Sequence, residues 1–232
     1  MNRPYIICHM VTSIDGKVTG DFLYRPDGEY AAEVYYEYNR SYRADAFACG
    51  RVTMEGSFTQ GGTPDLTPFQ GAALPREDYV ADREAALYAV SFDRRGRLGW
   101  KGPRIVDEDP GYGDAHIVEV LCEDASDAYL AYLRRVGVSY LFAGEKELDL
   151  SLALSKLKEL FGIGKLLLEG GSILNGAFQR EGVIDELSLV VAPTVAGAGD
   201  KPLFMDSQME GYELRQIRQH EKNVLWLNYR KR

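Results

Sequence analysis

The sequence contains few cysteines and histidines, and it lacks the short motifs that define several common enzyme classes. Its 232 residues include three cysteines and three histidines, with no CxxC pair and no HExxH. A zinc site needs a cluster of such residues, so no metal site is predicted. No GxGxxG follows the first predicted strand, and neither GxxxxGK[ST] nor GxSxG occurs. These absences argue against the usual dinucleotide fingerprint, a P-loop NTPase and an α/β-hydrolase.

Long apolar runs and an excess of positive charge are also missing. No apolar run approaches the ~20 residues that a membrane-spanning helix needs, and the first residues do not resemble a signal peptide. The net charge of −8 disfavours nucleic acid and anionic membranes as partners, because both attract positively charged proteins. The sparse cysteines are typical of reduced core thiols. We therefore expect a cytoplasmic protein whose partner is a small molecule.

Short apolar runs alternate with amphipathic segments along the whole chain. Strands are predicted at Tyr5–Val11, Ala44–Gly50, Ala86–Phe92, His116–Leu121, Ser139–Ala143, Leu166–Leu168 and Leu187–Ala192. Helices are predicted at Tyr30–Tyr42, Asp124–Val136 and Leu150–Phe161, and Asp21–Glu29 is predicted to be a loop. The alternating segments Tyr212–Gln219 and Val224–Tyr229 predict a C-terminal hairpin.

This order of elements predicts one α/β domain over residues 1–232. The sheet is expected to be mostly parallel, with helices on both faces and an antiparallel C-terminal edge. Residues 58–84 contain several glycines and prolines and little periodicity. We interpret them as an irregular excursion over the surface, and loops of this length tend to be functional or mobile.

The stretch from Lys165 to Pro202 holds the clearest candidate site. A buried strand ends at Glu169-Gly170-Gly171, and Ser172 is a candidate N-cap for the helix that follows. A strand end with glycines before a helix N-terminus is an arrangement with which α/β folds bind phosphate. A tight turn without a ligand has the same pattern, so the motif alone leaves both interpretations open.

Two other predicted strands also end in polar residues. The loop Ser13–Lys17 follows the first strand and combines a hydroxyl, a carboxylate and an amine, although Asp-Gly is also a turn signal. Gly50, Arg51 and Thr53 follow the second strand. They could offer backbone N–H groups, a guanidinium and a hydroxyl to an anion, while an ordinary capped helix with a surface arginine would look the same.

These three segments occur in the order of a known family. They read SIDGK at 13–17, GRVT at 50–53 and LLEGG at 167–171, followed by DEL at 185–187 and AP at 192–193. The chain resembles the reductase domain of riboflavin biosynthesis, a pyrimidine reductase related in fold to dihydrofolate reductase. The resemblance implies a three-layer, dihydrofolate-reductase-like fold, an NADPH-dependent oxidoreductase and a homodimer.

The resemblance also implies where the cofactor binds. The cofactor-binding residues would be Gly50, Arg51, Thr53, Glu169, Gly170, Gly171 and Ser172. Backbone N–H groups of the last three would meet the pyrophosphate at the positive end of the helix dipole. Arg51 would lie near the adenosine phosphates, including the 2′-phosphate that distinguishes NADP, because a guanidinium suits a localised dianion.

The remaining matched residues would lie near the substrate and the nicotinamide. Ser13, Asp15 and Lys17 would form the substrate loop, with Lys17, Asp15 and Glu169 as the catalytic candidates. Hydride transfer needs mainly positioning and the exclusion of water. A proton must also be delivered, and Lys17, Asp15 and a bound water are equal candidates for its source.

One segment departs from the family pattern. Pyrimidine reductases usually carry Asp-Asp-Pro-x-Leu-Thr soon after the second strand, whereas this chain has GSFTQGG at 56–62. The predicted reaction is the reduction of 5-amino-6-(5-phosphoribosylamino)uracil in riboflavin biosynthesis. The alternatives are a reductase of the same fold that acts on another heterocycle or a pterin, and a non-catalytic nucleotide-binding homodimer.

Overall fold

The computed structural model describes residues 2–232 and has a mixed α/β fold. Within each of its two units the strands pair mostly in parallel, and the C-terminal strands are antiparallel. The predicted fold class is therefore confirmed. The chain divides into two compact units, which are described separately: unit 1 is Met1–Pro4 and Asp45–Leu166, and unit 2 is Tyr5–Ala44 and Leu167–Arg232. The single reductase domain over residues 1–232 stays a prediction.

The regular elements follow the predicted order. The strands are β1 Tyr5–Thr12, β2 Ala46–Gly50, β3 Tyr88–Phe92, β4 His116–Leu121, β5 Ser139–Phe142, β6 Lys165–Leu168, β7 Glu186–Val191, β8 Tyr212–Gln219 and β9 Leu225–Lys231. The α-helices are α1 Pro26–Tyr42, α2 Arg51–Met54, α3 Asp127–Val136, α4 Leu150–Phe161 and α5 Ser172–Arg180. Short 3-10 turns lie at Asp21–Tyr24, Thr67–Phe69 and Glu221–Asn223, and a π-helical turn at Glu55–Thr59.

In unit 1, β2, β3, β4 and β5 are consecutive parallel neighbours. Every residue of β3, β4 and β5 is buried, as expected for parallel strands that are covered on both faces. Two helices of this unit have clear boundary signals. The Ser126 hydroxyl caps α3 by accepting from Tyr129 N, and the Asp149 carboxylate caps α4 by accepting from Leu152 N. The helix predicted from Asp124 therefore begins only at Asp127.

In unit 2, β1 pairs with β7 in parallel, and β9 then pairs antiparallel with both β7 and β8. The helix α1 packs on one face of these strands, where Val34 and Tyr38 join Val190 and Trp226 in a buried cluster. It begins at Pro26 rather than at Tyr30, with proline in the first turn. The prediction of a loop at Asp21–Glu29 was wrong.

Candidate functional site

Two of the predicted loops, both in unit 2, bind the same segment of chain. In the loop after β1, Gly16 O accepts a hydrogen bond from Leu203 N at 2.9 Å, and Lys17 forms a backbone bridge with Pro202. After β6, the Ser172 hydroxyl donates to Pro202 O, and Ser172 O accepts from Met205 N at 3.0 Å. The segment 201–205 therefore fixes the position of each loop, although it lies about 30 residues beyond the nearer one.

Asp15 is an anchor for this arrangement. Its carboxylate accepts from Ser13 Oγ at 2.6 Å, from Ala196 N at 2.9 Å and from Gly197 N at 3.2 Å. The Ser13 hydroxyl, followed by the two backbone N–H groups, lowers the pKa of Asp15 to about 2. Asp15 is therefore ionised at neutral pH in this structure and accepts hydrogen bonds there.

Lys17 is held through its backbone. Its N–H donates to Ser13 Oγ at 2.9 Å and its carbonyl accepts from Ser13 N at 2.9 Å, which closes the loop. The side chain is half-buried. The source of the proton stays a prediction, with Lys17, Asp15 and a bound water as the candidates.

Glu169 follows β6 and is 7% exposed. Its Oε1 accepts from Asn39 Nδ2 at 2.6 Å, and Asn39 on α1 is itself 5% exposed. The thiol of Cys8 is close enough that the charge of Glu169 adds to the effect of burial, which is the larger cause, in raising the Cys8 pKa. Asn39 was not among the site residues predicted from the sequence. A signal was present, because Asn39 is a polar residue on the apolar stripe of a predicted helix, and a buried polar group needs a partner.

The Gly170–Gly171 turn is closely packed, with Gly170 buried and Gly171 half-buried. Gly170 has φ +97°, and a Cβ there would lie 3.3 Å from Met10 Cε. The Gly170–Gly171 peptide bond is cis. Gly171, and not Ser172, is the N-cap of α5, while the Ser172 side chain is turned to Pro202. The predicted Ser172 cap was therefore wrong, because its hydroxyl has a tertiary partner instead.

Gly50, Arg51 and Thr53 belong to unit 1. Gly50 is extended and ends β2, and α2 begins at Arg51. Arg51 Nη1 donates to Glu55 Oε2 at 2.7 Å, with both side chains about one-third exposed. The charge of Arg51 also lowers the pKa of Asp93, although burial dominates and raises it overall. Arg51 therefore lies among carboxylates, and a phosphate would compete with Glu55 for it. The cofactor-binding role of these three residues stays a prediction.

No group of three or more His, Cys, Asp or Glu side chains that could hold a metal ion occurs among residues 2–232. Within the same range, no helix is long and apolar enough to span a bilayer.

Comparison with known proteins identifies the family. The family model described as "RibD C-terminal domain" matches residues 101–225, more than half of the chain. The chain belongs to this family, which confirms the resemblance stated from the sequence.

Two curated relatives are similar along most of their length. The Methanothermobacter thermautotrophicus protein is 28% identical over 207 residues, covering 89% of this chain and 85% of its own. The Aquifex aeolicus protein is 25% identical over 247 residues, covering 99% and 91%. Both are named 2,5-diamino-6-ribosylamino-4(3H)-pyrimidinone 5′-phosphate reductase.

Solved structures show the same fold. A pyrimidine reductase-like protein from Corynebacterium diphtheriae has a TM-score of 0.69 at 18% identity, covering 100% of this chain and 93% of the other. Acinetobacter baumannii RibD has a TM-score of 0.67 at 22% identity, and the match covers 100% of this chain and 59% of that larger protein.

Proposed function

We propose that the protein is an NADPH-dependent reductase of a ribosylaminopyrimidine 5′-phosphate, acting in riboflavin biosynthesis. Membership of the RibD family supports the reaction class, and the names of the curated relatives support the substrate class. The structural observation that carries the proposal is the buried carboxylate of Glu169, placed directly before the Gly170–Gly171 turn and the start of α5.

The residues at the start of α5 fit a dinucleotide phosphate. Two consecutive glycines present main chain without side chains, and the first N–H groups of a helix have no partner within it. Gly170, Gly171 and Ser172 would hold the pyrophosphate. For unit 1, taken by itself, the binding of a 2′-phosphate by Arg51 stays a prediction. When bound, NADPH supplies the hydride.

The protein's own contribution is positioning and a proton. Asp15 remains an ionised anchor that fixes the loop carrying Lys17. Lys17, or a water that it orders, would deliver a proton to the substrate as the ribosylamine ring opens and is reduced to a ribitylamine. Glu169 would orient polar groups of the substrate, and its burial keeps competing water away.

The substrate is tested directly with two pyrimidines. Purified protein is incubated with NADPH and either the 2,5-diaminopyrimidinone or the 5-amino-uracil ribosylamine phosphate, and the loss of nicotinamide absorbance is followed. We expect turnover of at least one, with a ribitylamine product identified by mass spectrometry. If neither pyrimidine is turned over and a pterin is reduced in the same assay, a reductase of the same fold that acts on another heterocycle would be favoured. Cofactor binding without any turnover would favour the non-catalytic module, and no binding of NADPH at micromolar concentration would refute a reductase.

We also propose that the protein is a cytoplasmic homodimer. One face of the paired strands β7, β9 and β8 carries uncharged side chains apart from Lys231, which is paired with Glu210, and these side chains become more exposed toward the edge, where Leu214 is 47% and Ile217 56% exposed. Two copies that each carry a net charge of −8 repel one another, so an uncharged apolar patch is where a second copy would dock at least cost. Sedimentation should give a dimer that Ile217→Lys converts to a monomer, and a wild-type monomer at micromolar concentration would contradict this. The three cysteines are buried and form no disulfide, which suits the reducing cytoplasm.

A further inference from the structure

A buried hydrogen bond links α1 to the carboxylate at the candidate site. Asn39 Nδ2 lies 2.6 Å from Glu169 Oε1, and both residues are more than nine-tenths buried. Asn39 lies on the face of α1 that packs on the strands, where the neighbouring buried positions are Val34 and Tyr38. An apolar side chain would serve packing there without the cost of burying an amide. The amide is therefore explained by its contact with the carboxylate rather than by packing.

The direction of this hydrogen bond decides its effect. An amide nitrogen can only donate, so Asn39 stabilises Glu169 as an acceptor and favours its ionised form. In a buried environment such a bond is strong and restricts the carboxylate to one orientation. The titratable group of β1 that faces Glu169 is Cys8, and burial and Glu169 together raise the pKa of the Cys8 thiol, so it stays neutral. Cys8 therefore places no second negative charge beside the carboxylate.

We propose that Asn39 is a positioning residue, which fixes the orientation and the charge of the Glu169 carboxylate during reduction. This inference rests on the proposed function for the role of Glu169 and on the structure alone for the Asn39–Glu169 pair. It gives α1 a part in the reaction, through a residue that does not belong to any of the three loops that the sequence singled out.

The variant Asn39→Asp tests this by replacing the donor with a second carboxyl group. Two carboxyl groups at this distance share one proton. While the pair holds that proton, the new acid donates to Glu169 as the amide did, and kcat stays close to the wild-type value. As the pH rises through the raised pKa of the pair, the proton is lost, the two charges repel and Glu169 is displaced. We expect a new basic limb in the pH profile of kcat. At the highest pH, where the pair has lost its proton, kcat should be lower than in the wild type by about 10- to 100-fold.

A matched control exists in the same unit. Asn228 Nδ2 donates to Glu186 Oε1, also at 2.6 Å, between β9 and β7. The variant Asn228→Asp creates a carboxyl pair at the same distance, between half-buried side chains and away from the candidate site. It should cost stability as Asn39→Asp does, while the pH profile of kcat keeps its wild-type shape.

A readout that does not depend on turnover separates this inference from the proposed function. The ¹³C shift of the Glu169 carboxyl carbon, assigned with Glu169→Gln, should titrate at higher pH in Asn39→Asp and in Asn39→Ala than in the wild type. If the wild type turns over its substrate but both variants keep the wild-type pH profile and carboxyl titration, Asn39 does not position Glu169. If the titration moves in a protein without turnover, the proposed function fails and the Asn39–Glu169 coupling stands. Should Asn39→Asp not fold, Asn39→Ala carries the test.

Discussion

Glu119 is a buried carboxyl group of unit 1, and its protonation in the folded protein can be tested quantitatively. It lies in the middle of β4, fully buried, in register with Ser91 of β3. Trp100 Nε1 donates to its Oε1. The Ser91 and Tyr129 hydroxyls lie near enough to lower the pKa of Glu119, although within residues 2–232 neither its Oε2 nor the Ser91 hydroxyl has a partner at hydrogen-bond distance. Burial, and then the negative charge of Asp93, raise the pKa of Glu119 well above its ordinary value. A proton on Oε2 would let the carboxyl group donate to Ser91, which satisfies both atoms.

The protonated form makes stability depend on pH in a defined direction. The unfolded chain releases the Glu119 proton near pH 4.5, whereas the folded protein keeps it to higher pH. The contribution to stability is therefore complete below pH 4.5 and is lost as the pH rises toward the folded pKa, by up to about 1.4 kcal/mol per pH unit. The variant Glu119→Gln keeps the shape and an acceptor for Trp100 and has no proton to lose. The free energy of unfolding of Glu119→Gln minus that of the wild type should therefore rise with pH at the same slope.

The assay is urea unfolding of both proteins at several pH values between 5 and 8. The slope of the difference against pH matters, because a constant offset from the extra amide donor cancels in it. Glu108→Gln, at an exposed position, is the control and should give a difference that is independent of pH. If the Glu119→Gln difference is also independent of pH, Glu119 is ionised in the folded protein and the reasoning is refuted.

Three further predictions concern single contacts. Glu55→Gln frees Arg51 from its carboxylate partner. It should raise the affinity for NADPH by up to about fivefold relative to NADH, because an exposed ion pair is worth ~1 kcal/mol or less. An equal change for both cofactors in fluorescence titrations would contradict this prediction. Gly176→Ala places a Cβ 1.7 Å from Met205 O and should lower the free energy of unfolding by about 1–3 kcal/mol or more in urea titrations; an unchanged midpoint would argue against this packing. Asp15→Asn should lower kcat without moving the acid limb of the pH profile, because the Asp15 pKa of about 2 lies below that range; a shifted limb would show that Asp15 titrates in the reaction.

Much of the fold could be predicted because the spacing of apolar residues along the chain matches the positions that are buried in the structure. The strand His116–Leu121 and the helix Leu150–Phe161 have the predicted bounds, since an apolar run and a capped apolar stripe leave little choice. The start of α1 was missed because Asp27-Gly28 looks like a turn. Gly28 is there for packing: a Cβ would lie 1.9 Å from Phe22 O.

The candidate site was predictable in its residue types and not in its contacts. The glycines and polar residues at strand ends are visible in the sequence. The partners of Asp15, however, lie 181 and 182 residues away at Ala196 and Gly197, and no local pattern connects them. The contact of Asn39 with Glu169 could not be predicted for the same reason, because the two residues are 130 positions apart. Ser172 could be assigned a capping role from spacing alone, and a tertiary contact with Pro202 replaced it.

The central claim is that this chain transfers hydride from NADPH to a ribosylaminopyrimidine phosphate. The most direct measurement uses NADPH deuterated at C4 of the nicotinamide, on each face in turn, with mass spectrometry and NMR of the pyrimidine product. We expect NADPH deuterated on one face to deliver a single deuterium to the first carbon of the ribityl chain, and NADPH deuterated on the other face to deliver none. A reduced product that carries no deuterium from either face, or the absence of any reduced pyrimidine, would contradict it.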